Sequence, residues 1–251
     1  MIYQNVINDA HSYKTGLSYQ YDDIEELTKV GVFNRLESVP GAYFEYSYVK
    51  DNFAIVPGIR YDIHNNYGGF VTPRIHMKYN LAEESVIRLA AGRGLRTANI
   101  FADNIGMLSS NRIIDVKSED NGNPYGLDAE VAWNFGINYT QGINIAEKEL
   151  TLSADIHRTA FENQIIIDYE TTREVSIYNL DGKSYSNSFQ IKADYELLKN
   201  FDVRVAYRLY DVKSTYGDEL KKKPLVSSHR AFINTSYTTD SGWMFDATLN
   251  W

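Results

Sequence analysis

The residues best able to do chemistry in this chain crowd one long connection. Between Arg93 and Asp128 stand Arg93, Arg96, Asn99, Asp103, Asn104, Asn111, Arg112, Asp115, Asn121, Asn123 and Tyr125. Guanidinium, amide and phenol groups on one loop can gather hydrogen bonds and charge around a polar ligand. Arg93, Arg96, Asn99, Asp103, Asn104, Asn111, Arg112 and Tyr125 are therefore the candidate ligand-binding residues. The competing reading of each is a side chain that simply meets water. Other chemistries find little support. Gly92-Arg93-Gly94 has Thr97 where the third glycine of a phosphate loop would fall, and no helical pattern follows. The five histidines (His11, His64, His76, His157, His229) lack metal-ligand spacing, so no metal site is expected. No G-x-S-x-G occurs and no serine stands out as a nucleophile, so no catalytic residue and no enzyme activity are expected. The absence of cysteine removes disulfides, thiolate metal sites and cysteine nucleophiles. No cofactor is expected.

The elements that must position these groups repeat with period two. Phe201, Val203, Val205, Tyr207 and Leu209 share one face, and Asp202, Arg204, Ala206, Arg208 and Tyr210 the other. The same alternation runs through Phe189 to Leu197, Val131 to Tyr139, Leu150 to Ile156 and Trp243 to Trp251. About eleven strands are expected, near 11–21, 41–49, 53–64, 70–79, 85–92, 129–140, 149–169, 174–198, 201–213, 227–238 and 243–251. Connections alternate in length. Short turns fall at 50–52, 80–84, 141–148, 199–200 and 239–242, whereas 22–39, 93–128 and 214–226 are long. Two others on the long side, 65–69 and 171–173, are short, and the strands flanking 171–173 are the longest. Hairpins tight at one end and loopy at the other describe an antiparallel up-and-down meander.

A soluble β-rich binding module also alternates, but three features favour a membrane barrel. Many runs reach ten residues, the length a tilted strand needs to cross a bilayer, whereas soluble strands cluster near five or six. Aromatics gather at strand ends, as at Tyr19 and Tyr21, at Tyr43 to Tyr48, and at Trp243 and Trp251; the chain carries 20 tyrosines. The polar face holds charge in mid-strand, at Arg60, Arg74, Arg88, Asp155, Lys192, Asp194, Arg204 and Arg208, which suits a wet lumen. A mean hydropathy of −0.39 follows if half of each strand faces water. The net charge of −8 argues against a nucleic-acid partner. No apolar run is long enough for a transmembrane helix.

The first residues, Ile2, Tyr3, Gln4 and Asn5 with Asp9 close behind, carry neither the basic nor the apolar part of a signal peptide. A lipid-embedded wall must also close, and bacterial single-chain barrels use even strand numbers. The expectation is an interior piece of a longer chain, one partial barrel domain over 1–251 that forms no closed pore alone.

Several stretches carry a family resemblance. Thr72 to Asn80 (TPRIHMKYN), Ile87 to Phe101 (IRLAAGRGLRTANIF), His157 to Ile166 (HRTAFENQII), Tyr178 to Gln190, Lys223 to Val226 with His229 to Ala231, and Asp246 to Trp251 together resemble the barrel of TonB-dependent outer-membrane receptors, most closely those of the Bacteroidetes type. The resemblance runs from about Pro40 onward. It implies an all-β partial transmembrane barrel, part of a 22-stranded wall around an N-terminal plug. It implies a Gram-negative outer-membrane location, contact with outer-membrane lipid, and active uptake of a small chelated nutrient such as siderophore iron, haem or cobalamin. A TonB complex would act through the plug, which with the closing strands is missing here. In glycan-uptake members a surface lipoprotein caps the mouth. A passive porin, or a structural or adhesive barrel, is the alternative function.

Overall fold

The computed structural model describes residues 1–119 and 121–251. Twelve strands follow one another edge to edge in a single antiparallel wall. They are β1 (Ile2–Asn8), β2 (His11–Thr28), β3 (Gly31–Lys50), β4 (Phe53–His64), β5 (Gly68–Ala82) and β6 (Ser85–Arg96), and then, after β7 (Ile113–Val116), β8 (Glu130–Ile145) and β9 (Lys148–Asn163). After β10 (Ile165–Asp168) and β11 (Glu174–Asn179) the wall resumes with β12 (Ser184–Leu198) and β13 (Phe201–Tyr216), then, past β14 (Glu219–Lys222), β15 (His229–Thr238) and β16 (Met244–Asn250). β14 folds back on β13, and β10, β11 and β7 form a separate three-stranded sheet among the long connections. The wall is open, with β1 and β16 at its two edges. This is the up-and-down meander the alternation predicts.

The two faces of the wall do different things. On β4, Phe53, Ile55, Pro57, Ile59, Tyr61 and Ile63 point one way, and Ala54, Val56, Gly58, Arg60, Asp62 and His64 the other. Ile59, Tyr61 and Ile63 are exposed, as are Leu89, Phe135, Ile137, Ile156, Phe189, Ile191, Val205 and Leu209. These apolar side chains meet no second layer, which a soluble sandwich would require. Among the described residues, the cluster of buried apolar side chains lies instead among the long connections: Ala98, Ile100, Phe101, Met107, Leu127, Val175 and Ile177.

Three local expectations are corrected. Residues 2–8 form β1, which brings the wall to twelve strands. Residues 22–39 are not a loop: β2 and β3 continue as one hairpin pairing Asp22 with Glu37 and Thr28 with Gly31. Asp22, Asp23, Glu25 and Glu26 fall on both faces there, so no greasy side marks the strand. The long runs 149–169 and 174–198 each break in two. A bulge, with Val131 facing Asn163 and Ala132 facing Phe161, precedes the departure of β10 from the wall. Gly182, at φ +128°, lies between β11 and β12. At the other end of the wall, the turn Ala146-Glu147 has both residues at positive φ, 50° and 64°, the twist a tight two-residue hairpin needs.

Candidate functional site

A cavity of about 710 Å³ opens on the inner face of β2 to β6, at the end that carries the long connections. Alternation builds it. Register sets Tyr43 opposite Arg60 and Arg60 opposite Thr72, so one row of inward side chains crosses three strands. Arg60 donates from Nε and Nη2 to the two carboxylate oxygens of Asp62, each at 2.6 Å, and from Nη2 to Ser18 Oγ at 2.8 Å. Arg74 Nη2 donates to Glu45 Oε2 at 2.5 Å. Gly41 and Gly58 make room for these pairs. A Cβ on Gly41 would strike the Asp62 carboxylate and come within 3.0 Å of Arg60 Nη2, and one on Gly58 would lie 3.1 Å from Arg74 Nε.

Above this row the long connection is tied down by a buried arginine. Arg35 donates from Nε to Glu37 Oε1 at 2.9 Å, from Nη1 to the Tyr125 hydroxyl at 2.7 Å, and from Nη2 to Asn99 Oδ1. Tyr125 in turn donates its hydroxyl to Glu26. The Arg35 and Glu37 side chains are only 7% and 8% exposed. His64 Nε2 stands 3.7 Å from Glu37 Oε2 and 3.3 Å from Thr97 Oγ1. Phe33 packs its ring on Phe101 at 4.9 Å and Tyr125 at 5.4 Å. Burial, reinforced by the hydrogen bond to Glu26, pushes the Tyr125 phenol well above its ordinary value. Burial and the Glu37 charge push the Tyr67 phenol up to about 12.

The sequence candidates divide among different surroundings. Arg96 and Asn99 line the cavity. Arg96 Nε donates to Glu130 Oε2 at 3.0 Å and its Nη2 lies 3.2 Å from Asp103 Oδ2, which brings Asp103 to the rim. Tyr125 holds Arg35 from behind. Asn104 donates to the Ile100 carbonyl at 3.0 Å and ends a single helical turn. Asn111 is exposed away from the cavity. Arg112 donates to the Tyr169 carbonyl at 3.2 Å and lies over that ring. Arg93 also borders the cavity, but as the odd-numbered residue between Gly92 and Gly94 it points its side chain to the outer face, where it pairs with Glu162 at 2.6 Å. Sequence reasoning missed Arg35 and Glu37 because it placed 22–39 in a loop. It named Arg60 and Arg74 only as lumen charges. Continuing the inward parity of Tyr43 back through Gly41, Val39, Glu37 and Arg35 would have found the first two.

Three guanidinium groups retain donors toward the void. The Arg60, Arg74 and Arg96 side chains are 41%, 55% and 61% exposed, in contrast to the sealed Arg35. Planar forks of this kind suit oxygen-rich anionic groups. Among the described residues no cluster of metal-ligating side chains occurs.

Comparison with known proteins agrees with this architecture. No curated protein matches the chain. Among solved structures, a mutant of the ferric enterobactin receptor PfeA of Pseudomonas aeruginosa superposes with a TM-score of 0.69 at 12% identity, over 96% of this chain and 38% of that one. The siderophore receptor PirA of the same organism gives 0.65 at 11%, over 100% and 46%. The FrpB iron transporter of Neisseria meningitidis gives 0.63 at 12%, over 95% and 39%. The chain thus spans less than half the length of these neighbours. The family model described as "TonB dependent receptor-like, beta-barrel" matches residues 3–251, so the chain belongs to the TonB-dependent receptor β-barrel family.

Proposed function

We propose that residues 1–251 are wall strands of an outer-membrane receptor that takes up a scarce nutrient as a small, oxygen-rich chelate, siderophore-bound iron being the first candidate. The observation that carries this reading is the cavity, where Arg60, Arg74 and Arg96 keep exposed donors beside Tyr43, Gln20 and Thr72. Family membership and the iron and siderophore receptors among the structural neighbours support it. In this reading the long connection bearing Arg96, Asn99, Asp103 and Tyr125 shapes the mouth. Asn104, Asn111 and Arg112 set its fold and outer surface. A plug and a TonB complex acting on it supply the energy. The wall stands in the outer membrane of a Gram-negative cell, with lipid against its apolar face. It transports and catalyses no reaction.

Growth of a strain lacking the gene, on single iron, haem, cobalamin or glycan sources, tests the function. Loss of growth on one ferric siderophore, restored by the wild-type gene but not by a form carrying Arg60→Gln, Arg74→Gln and Arg96→Gln, is the expected result. Unchanged growth on every source, with non-selective solute leakage through the purified protein, would show a passive pore instead.

A further inference from the structure

The outer face carries a second set of cations that the uptake site does not use. Register places Arg93 opposite Trp133, Trp133 opposite Ala160, Ala160 opposite Tyr185 and Tyr185 opposite Lys213, so one row crosses five neighbouring strands. The next row toward the short turns reads Phe135, Arg158, Asn187 and Asp211. All these positions have outward parity, shared with the exposed Ile137, Ile156, Phe189 and Leu209. Two of the three cations have acidic partners: Arg93 lies 2.6 Å from Glu162, and Lys213 lies 3.5 Å from Asp211. Trp133 Nε1 donates to Glu162 as well, at 2.7 Å. Arg158 differs. It is exposed, donates to Asn187 Oδ1 at 2.8 Å, lies 5.1 Å over the Tyr185 ring, and has no ion pair among the described residues.

The rows form a shallow notch. Its floor is the small Ala160, its sides are Trp133 and Tyr185 on the flanking strands, and Arg158 lies at its lower edge. Below it, the exposed Phe135, Ile156 and Phe189 continue as an apolar surface. On β2 to β5 the outward positions toward the same end read Tyr19, Tyr21, Asp23 and Glu25, then Tyr61, Ile63 and Val71, with no cation. Cations on this end of the outer face are thus confined to the sector from β6 to β13. A planar guanidinium takes phosphate through two parallel hydrogen bonds, and Trp and Tyr favour the headgroup layer. Apolar surface directly beneath suits acyl chains.

We propose that this notch binds the phosphate of a lipid headgroup in the outward leaflet, with Arg158 as its main contact and Trp133 and Tyr185 flanking the headgroup. The inference rests on the outer-membrane reading above and adds a defined site to it. A free phosphate would satisfy Arg158 equally, but it would leave the apolar surface below unused.

The test uses the full-length protein purified in non-ionic detergent and native mass spectrometry of lipid adducts. Phosphatidylglycerol, phosphatidylcholine and inorganic phosphate are the three probes. Wild type is expected to bind phosphatidylglycerol at least about tenfold more tightly than phosphatidylcholine, and Arg158→Gln to remove about that factor. Arg158→Lys should keep most of the preference. Arg88→Gln, which changes an inward-facing arginine, should keep all of it. If Arg158→Gln loses its heat-modifiable folded band, Arg158→Met, which also removes the guanidinium, carries the test and should lose the same preference. Wild-type preference retained in Arg158→Gln, or lipid displaced by an equal concentration of inorganic phosphate, overturns the proposal. A protein that stays membrane-embedded in alkaline carbonate yet binds both lipids alike fails this proposal alone. One released by carbonate fails the outer-membrane reading with it.

Discussion

Replacing Arg35 with Met should release the long connection from the wall without unfolding the wall. The guanidinium serves Glu37, Tyr125 and Asn99 by hydrogen bonds, and lies 3.9 Å from Glu26. Two of these partners, Asn99 and Tyr125, belong to the connection between β6 and β8. Methionine fills much of the stem but leaves the buried Glu37 carboxylate without its strongest donor, and takes the donor away from Asn99 Oδ1. Breaking a buried ion pair on one side costs about 3–5 kcal/mol. At about 1.4 kcal/mol per factor of ten, amide-exchange protection over 97–129 should fall by roughly two to four orders of magnitude. Protection in β8 and β9 should hold, because their ladder does not involve Arg35. Adding Glu37→Gln should recover part of the loss, since the uncompensated charge then disappears. Exchange over 97–129 unchanged within about threefold, in a protein that still folds, would refute the assignment of Arg35 as the anchor.

Other positions give sharp outcomes too. Gly41→Ala should displace the Arg60–Asp62 pair and cost about 1–3 kcal/mol, read by urea unfolding from lipid vesicles. Tyr67 should stay protonated far above the ordinary phenol value of 10.0, to about 12. Because the folded value is the raised one, stability should decline between those two pH values; Tyr67→Phe should remove that part of the decline and the late phenolate absorbance. Arg74→Gln and Arg96→Gln should each weaken uptake of the chelate proposed above about tenfold while leaving the folded band intact.

What the sequence made legible tracks how one-sided each environment is. Where one face is apolar and the other polar, as in Phe201 to Tyr210, the alternation is clean and the strand is found. It fades in 22–39, where both faces carry acids and the hairpin stands on backbone pairing. It also misleads at 149–169, because Ile165, Ile166 and Ile167 read as more of the same wall strand. Those residues instead form β10, and Ile165 and Ile167 pack against the apolar cluster under the loop sheet. The candidate residues were chosen by polarity and place in sequence, which brought Arg96, Asn99 and Tyr125 to or near the cavity. That criterion cannot see parity, so Arg93 came with them although its side chain takes the opposite face. Arg35 escaped because its role depends on partners about 60 to 90 residues away, which only strand register brings together.

The central claim is that the apolar face of this wall meets hydrocarbon. Residues 1–251 hold no cysteine, so, with any cysteine elsewhere in the full-length protein replaced, a nitroxide can be attached at single introduced positions along β12, from Phe189 to Tyr195, in lipid vesicles. Collision with oxygen, which concentrates in hydrocarbon, should be high at 189, 191, 193 and 195 and low at 190, 192 and 194. Odd positions shielded from both oxygen and a water-soluble nickel chelate, as in a dry protein interior, would contradict the account.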